Sequence, residues 1–267
     1  MSTYVTIALM FALLVEALLA GWGAAWWMRE RAKCAALLGQ RGLAWIAVAL
    51  LGLCLATVLS ERATFAAEGL LKTAVLMTVF RSAFALAALP AAITTDLALR
   101  QPPPKLFRRP VPTILVAAMG TLLGSHAIVF ALSQFVPVEA QGMLDEVTRS
   151  AAGIGAICAL ALVAAAWEEI LYRGALQGVL EVACVRAGKS PMIAVVAQAA
   201  IFAVAHAGML SPPGVKELQI FFVAIVWGLV RRWHGLGASI ATHILFNASS
   251  AGAAALVLAW KLWPAAM

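Results

Sequence analysis

The chain has 267 residues, of which 64% are hydrophobic and 12% charged, with a mean hydropathy of +0.96 and a formal net charge of +7. A soluble domain of this size would be about one quarter charged, so the composition excludes the soluble classes, and long continuous apolar runs in place of short alternating strands exclude an outer-membrane barrel. The basic residues sit in short loops between those runs, where they orient a chain in a bilayer and argue against a nucleic-acid partner.

The expectation is an all-α polytopic membrane protein of about eight transmembrane helices, since crossing about 30 Å of hydrocarbon takes roughly 20 helical residues. The first run is Tyr4 to Trp27, with Glu16 inside it. It lacks a basic leader and a small-residue cleavage site, so it reads as a retained helix and not a signal peptide. A basic loop with Arg29, Arg31, Lys33 and Arg41 leads to run two, Leu43 to Leu59. Run three, Thr73 to Thr95, contains Arg81 and Pro90. The linker Asp96 to Pro112 follows, and its Pro102, Pro103 and Pro104 favour an extended connection. Run four, Thr113 to Phe135, precedes an acidic loop carrying Glu139, Asp145 and Glu146.

Run five begins near Ala151 and, with no proline to stop it, is expected to continue as helix to about Ala183. Pro191 opens run six, which extends to Met209. Ser211-Pro212-Pro213-Gly214 breaks the chain before run seven, Leu218 to Val230, extendable through Trp233. Gly235 and Gly237 separate it from run eight, Ala238 to Trp260. Alternate loops carry twelve Lys and Arg against five in the others, so the positive-inside tendency makes the richer set cytoplasmic and puts both termini outside. The four cysteines, Cys34, Cys54, Cys158 and Cys184, form no CxxC pair and suggest neither a zinc cage nor a disulfide framework.

Polar groups recur inside the apolar runs of the second half. Glu168, Glu169 and Arg173 stand together in ALVAAAWEEILYRG. Ionisable groups at a bilayer centre cost roughly 2.5–3.5 kcal/mol each on the insertion scale, so a chain that keeps three of them uses them. Neighbours on a helix point about 100° apart, so the two carboxylates cannot share one target. Residues four apart lie on one face, which pairs Glu169 with Arg173 and leaves Glu168 to face a cavity. A carboxylate with few solvating groups suits general-base work near neutrality. The alternative is that run five stops at Trp167 and the trio is a solvated helix end. His206, in IFAVAHAGM, reads alone as a packed or interfacial histidine. His243 and Asn247, in SIATHILFN, stack on one helix face, and alone they suit helix–helix hydrogen bonding.

Taken jointly, E-E-x-x-x-R at Glu168 to Arg173, F-x-x-x-H at Phe202 to His206 and H-x-x-x-N at His243 to Asn247 resemble the CPBP (Abi, or CAAX prenyl endopeptidase-like) family of intramembrane proteases. Gly228, Arg231, Gly235 and Ser239 also look like that family's approach to its last motif. The resemblance covers about Ala151 to Ala251. It divides the chain into 1–112 (N-terminal helices and Pro-rich basic linker), 113–150 (fourth helix and acidic loop) and 151–267 (a four-helix catalytic core).

The resemblance implies peptide-bond hydrolysis in a membrane-associated peptide or protein. Glu168 would be the general base, His206 would position water, and His243 with Asn247 would stabilise the oxyanion. Glu169, Arg173 and Phe202 would support them. Members have been described both as metalloproteases and as glutamate proteases. No HExxH is present and asparagine is a poor zinc ligand, so no obligatory metal is expected; a divalent ion such as zinc would take Glu168, His206 and His243. The compact, Ala-rich chain points to a bacterial plasma membrane. If run five continues to about Ala183, Glu168 and His206 lie about 23 and 22 Å from the cytoplasmic ends of their helices and His243 about 15 Å beyond Trp233, depths that helix tilt and a water-filled cavity would have to reconcile. Two other readings stay open. One is a non-catalytic immunity or scaffold protein of the same family. The other is a transporter using Glu16, Arg81, His126 and Glu168, for which paired inverted repeats would be the usual sign.

Overall fold

The computed structural model of the chain describes residues 11–12, 14–26, 29, 70–140, 161–207 and 209–262. Within them the fold is all-α apart from one short strand pair. The helices are α1 (Leu14–Trp26), α2 (Leu70–Leu99), α3 (Pro110–Ser133), α4 (161–168), α5 (Gln177–Arg186), α6 (Met192–Val204), α7 (Val215–His234) and α8 (Leu236–Leu262). A π-helical segment, Glu169–Leu176, joins α4 to α5 without a break. Two-residue strands β1 (Glu139–Ala140) and β2 (Leu210–Ser211) pair antiparallel and tie the acidic loop to the connection after α6.

Runs three, four, six, seven and eight each become a helix, and run five continues past Trp167 to Arg186, so the trio is not a helix end. Run two lies outside the described residues. Among the described residues, Arg81–Leu99 and Pro110–Ser133 are long and apolar enough to cross a membrane; the expected eight crossings are not all met by such spans. The reasons are local. At 13 residues α6 is only about 20 Å long, and α7 carries Lys216 and Glu217 in its first turn and Arg231 and Arg232 in its last.

Small residues set how closely the helices approach, since packing of bare backbone takes the place of hydrophobic drive inside a bilayer. A Cβ on Gly23 of α1 would stand 2.5 Å from the Cα of Ala88 of α2. Seven residues earlier on both helices, Glu16 meets Arg81, so α1 and α2 run parallel. Ala85, Ala88 and Ala92, all buried, form the seam of α2, and Ala92 presses on Gly174 of the π segment. Thr95 donates its hydroxyl to the carbonyls of Ala91 and Gly174. The helix α3 flanks α7 and α8, with Ala117, Val230 and Ala238 at the seam.

At one end of the bundle a buried ionic cap joins α2, α5, α7 and α8. Arg231 pairs with Glu181 at 2.7 Å and with Asp96 at 3.5 Å, and Asp96 accepts from the backbone N–H of Leu236 at the start of α8. Gly235, at φ +90°, makes the turn between α7 and α8, where Arg100 leaves no room for a side chain. Arg100, Arg231 and Arg232, from two loops assigned to one membrane side, therefore gather at one end.

Candidate active site

The π segment is what sets the site. An α-helix places about 3.6 residues in a turn, and the wider i→i+5 turn changes the direction of every side chain that follows. All eight residues from Glu169 to Leu176 are buried. Trp167 and Tyr172, five apart, both reach groups on α1 and α2, while Glu168 and Glu169 project towards α6 and α8.

Glu169 is saturated. Its Oε1 accepts from Nδ1 of His243 at 3.0 Å and forms an ion pair with Nη1 of Arg173 at 3.2 Å, and its Oε2 accepts from the hydroxyl of Ser239. The pairing of Glu169 with Arg173 expected from their spacing is present, though it forms within a π turn. Arg173 is fully buried, its guanidinium carbon 3.9 Å from the centroid of Phe202 and 5.3 Å from that of Trp227. Such cation–π contacts strengthen when water is excluded.

Glu168 makes no comparably short contact. Its Oε1 lies 4.0 Å from Nε2 of His206 and its Oε2 3.8 Å from Nε2 of His243. Both gaps exceed a direct hydrogen bond and are of the kind a water molecule bridges. The two imidazoles are fixed from behind. Nδ1 of His206 donates to the carbonyl of Phe202 at 2.9 Å, which leaves the lone pair of Nε2 facing Glu168. His243 stacks on Trp227, with ring centroids 3.9 Å apart, and its Nδ1 is committed to Glu169.

The structure therefore brings together Glu168 at the end of α4, His243 of α8 and His206, which stands in the turn just past α6 because that helix ends at Val204 and not near Met209. Asn247 stands one helical turn beyond His243, and its amide donates to the carbonyl of Ala161 at 2.7 Å, tying α8 to α4. Gly228, Arg231, Gly235 and Ser239 each have a physical role. A Cβ on Gly228 would crowd Gln177 and Gln198 at 3.0 Å, Arg231 and Gly235 belong to the ionic cap, and Ser239 reaches Glu169.

Sequence reasoning missed Trp227, which lies in an apolar run with no polar marker, and the hydroxyl of Tyr172, one of two tyrosines in the chain. It left Glu16 and Arg81 unpaired as parts of a transporter path; they form an ion pair at 3.0 Å. His126 is exposed on α3 and bonds its own helix's Leu122 carbonyl.

A shared metal fits this donor set poorly. Zinc bonds of about 2.0–2.2 Å draw their ligands closer to one another than 3.8–4.0 Å. Among the described residues no group of three His, Cys, Asp or Glu stands close enough to hold an ion.

No curated protein and no solved structure matches the chain. The family model described as type II CAAX prenyl endopeptidase Rce1-like matches residues 150–249, the stretch that holds all three motifs. That family's peptidase class implies a protein substrate, and two helices long and apolar enough to cross a bilayer agree with a membrane protease family. Residues 150–249 are thus similar to the Rce1-like (CPBP) domain of type II CAAX prenyl endopeptidases.

Proposed function

We propose that this protein is an intramembrane endopeptidase in which Glu168 is the general base. The observation that carries the reading is the Glu168 carboxylate facing two oriented imidazoles at 3.8 and 4.0 Å while its neighbour Glu169 is fully engaged. A water held between Glu168 and the Nε2 lone pair of His206 has both protons accepted, and its oxygen lone pairs point away to the substrate.

Glu168 takes one proton as that oxygen bonds to the scissile carbonyl carbon, and the C=O electron pair moves onto the carbonyl oxygen. His243 and Asn247 are the donors to this oxyanion, a role worth about 2.7–4 kcal/mol per donor where measured. His243 acts in this role from its Nε2 side, the ring held in place by Glu169 at Nδ1. Asn247 commits one amide proton to Ala161 and has a second to offer. Collapse breaks the C–N bond, and the proton on Glu168 passes to the departing amine. Glu169, Arg173 and Phe202 hold the groups in place. No metal is obligatory in this scheme.

The substrate is a membrane-associated peptide or protein cut close to the bilayer, in a bacterial plasma membrane. Prenylated CAAX termini, bacteriocin or signal precursors and C-terminal sorting tails all have that form. Comparison of membrane-protein termini with and without this chain identifies the substrate. Purified protein in lipid nanodiscs, given a quenched-fluorescent peptide with a farnesylated CAAX end, then tests the chemistry. Cleavage that is lost in Glu168→Gln and survives chelation, with metal analysis negative, supports the reading. Tight peptide binding without cleavage replaces it with the scaffold role.

A further inference from the structure

We propose that Glu16 and Arg81, both outside the matched 150–249 segment, are positioning residues of this site, holding Trp167 and Tyr172 on either side of the two glutamates. The inference rests on the protease reading above. Glu16 is fully buried on α1. Its Oε2 forms an ion pair with Nε of Arg81 at 3.0 Å, and its Oε1 accepts the phenol proton of Tyr172 at 2.9 Å. The guanidinium carbon of Arg81 stands 5.0 Å from the ring centroid of Trp167, the residue before Glu168.

Trp167 and Tyr172 span one i→i+5 turn, so the pair grips the helix on both sides of the carboxylates from the opposite face. Tyr172 also packs edge-on against Phe202 at 4.9 Å, and the Phe202 carbonyl is what orients His206. One network from α1 and α2 thus reaches both the base and the imidazole. Stability alone does not call for the charges, because a buried ion pair is on average no better than well-packed apolar side chains of the same volume. A catalytic group displaced by about 1 Å loses about 10²-fold in rate, and this network is built to prevent that displacement.

The test uses the full chain in nanodiscs with the farnesylated CAAX peptide. Glu16→Leu combined with Arg81→Met removes the pair without stranding a charge, and Tyr172→Phe removes one hydroxyl. Each is expected to lower kcat about 10- to 100-fold with KM within about twofold, while the melting midpoint falls only as far as the loss of one buried hydrogen bond requires. The triple variant should be no worse than the weaker of the two, since both act through one network. Hydrogen exchange over residues 161–176 should rise in both, with α7 and α8 unaffected. Wild-type kcat in a folded Glu16→Leu/Arg81→Met protein overturns the proposal; if that protein does not fold, wild-type kcat in Tyr172→Phe does so. If the wild type cleaves nothing, the protease reading fails on its own, and unchanged exchange over 161–176 overturns the positioning claim independently.

Discussion

Glu169 and His243, 74 residues apart in the chain, meet at 3.0 Å between Oε1 and Nδ1, and this contact separates the roles of two adjacent glutamates. Glu169 is consumed in holding His243, Ser239 and Arg173. Glu168 is left facing the Nε2 atoms of both histidines without touching either closely enough for a direct hydrogen bond.

The two carboxylates should therefore fail differently. Glu169→Gln leaves the buried Arg173 cation without its counter-charge, and breaking a buried pair in this way costs about 3–5 kcal/mol. Thermal unfolding in detergent should show a large drop in midpoint for Glu169→Gln and almost none for Glu168→Gln. Equal midpoints for both variants would contradict the division of roles.

Close approach of α2 to the π segment makes a second prediction. A Cβ on Gly174 would stand 2.6 Å from the Cβ of Ala92, and overpacking of this kind costs about 1–3 kcal/mol. Gly174→Ala should lower both stability and kcat, and Ala92→Gly in the same protein should restore much of each. Melting curves and turnover on the four proteins of the cycle check it; additive losses would mean that the two sites do not share the contact.

Much of this arrangement is legible in the sequence. Apolar runs of bilayer length become helices because no other backbone satisfies its polar groups in lipid. The motifs could be found in order because charges and imidazoles inside such runs have no casual explanation. The π segment is not legible: EILYRGAL carries no residue that marks an i→i+5 turn, and only packing against Ala92 and Thr95 reveals it. The Glu16–Arg81 pair escapes for another reason. It joins residues 65 positions apart, a relation that no periodicity along one helix can show. Asn247 could be placed on the face of His243 by its spacing, but its partner is the backbone carbonyl of Ala161, which has no sequence signature.

Asn247 has two tasks that one substitution separates. Loss of its bond to Ala161 costs about 0.5–1.5 kcal/mol of stability, whereas loss of an oxyanion donor costs about 10²–10³ in kcat. Asn247→Ala should show both, with KM little changed. A fall in stability with undiminished kcat would confine Asn247 to the tether.

His206 stands on Phe202 and is only partly buried, so His206→Phe should keep the fold. It should lower kcat by about 10²–10⁴, the range for a positioned acid–base group. Circular dichroism and steady-state turnover on the same preparation check this, and near-normal turnover would remove His206 from the water site.

The most direct measurement is turnover of the farnesylated peptide by Glu168→Gln, in nanodiscs, on protein shown to be folded by its melting midpoint. Glutamine keeps the size and polarity of the side chain and removes only its capacity to take a proton. The expected result is a wild-type midpoint with cleavage reduced by at least about 10²-fold; a folded Glu168→Gln protein that cleaves at the wild-type rate would contradict the mechanism.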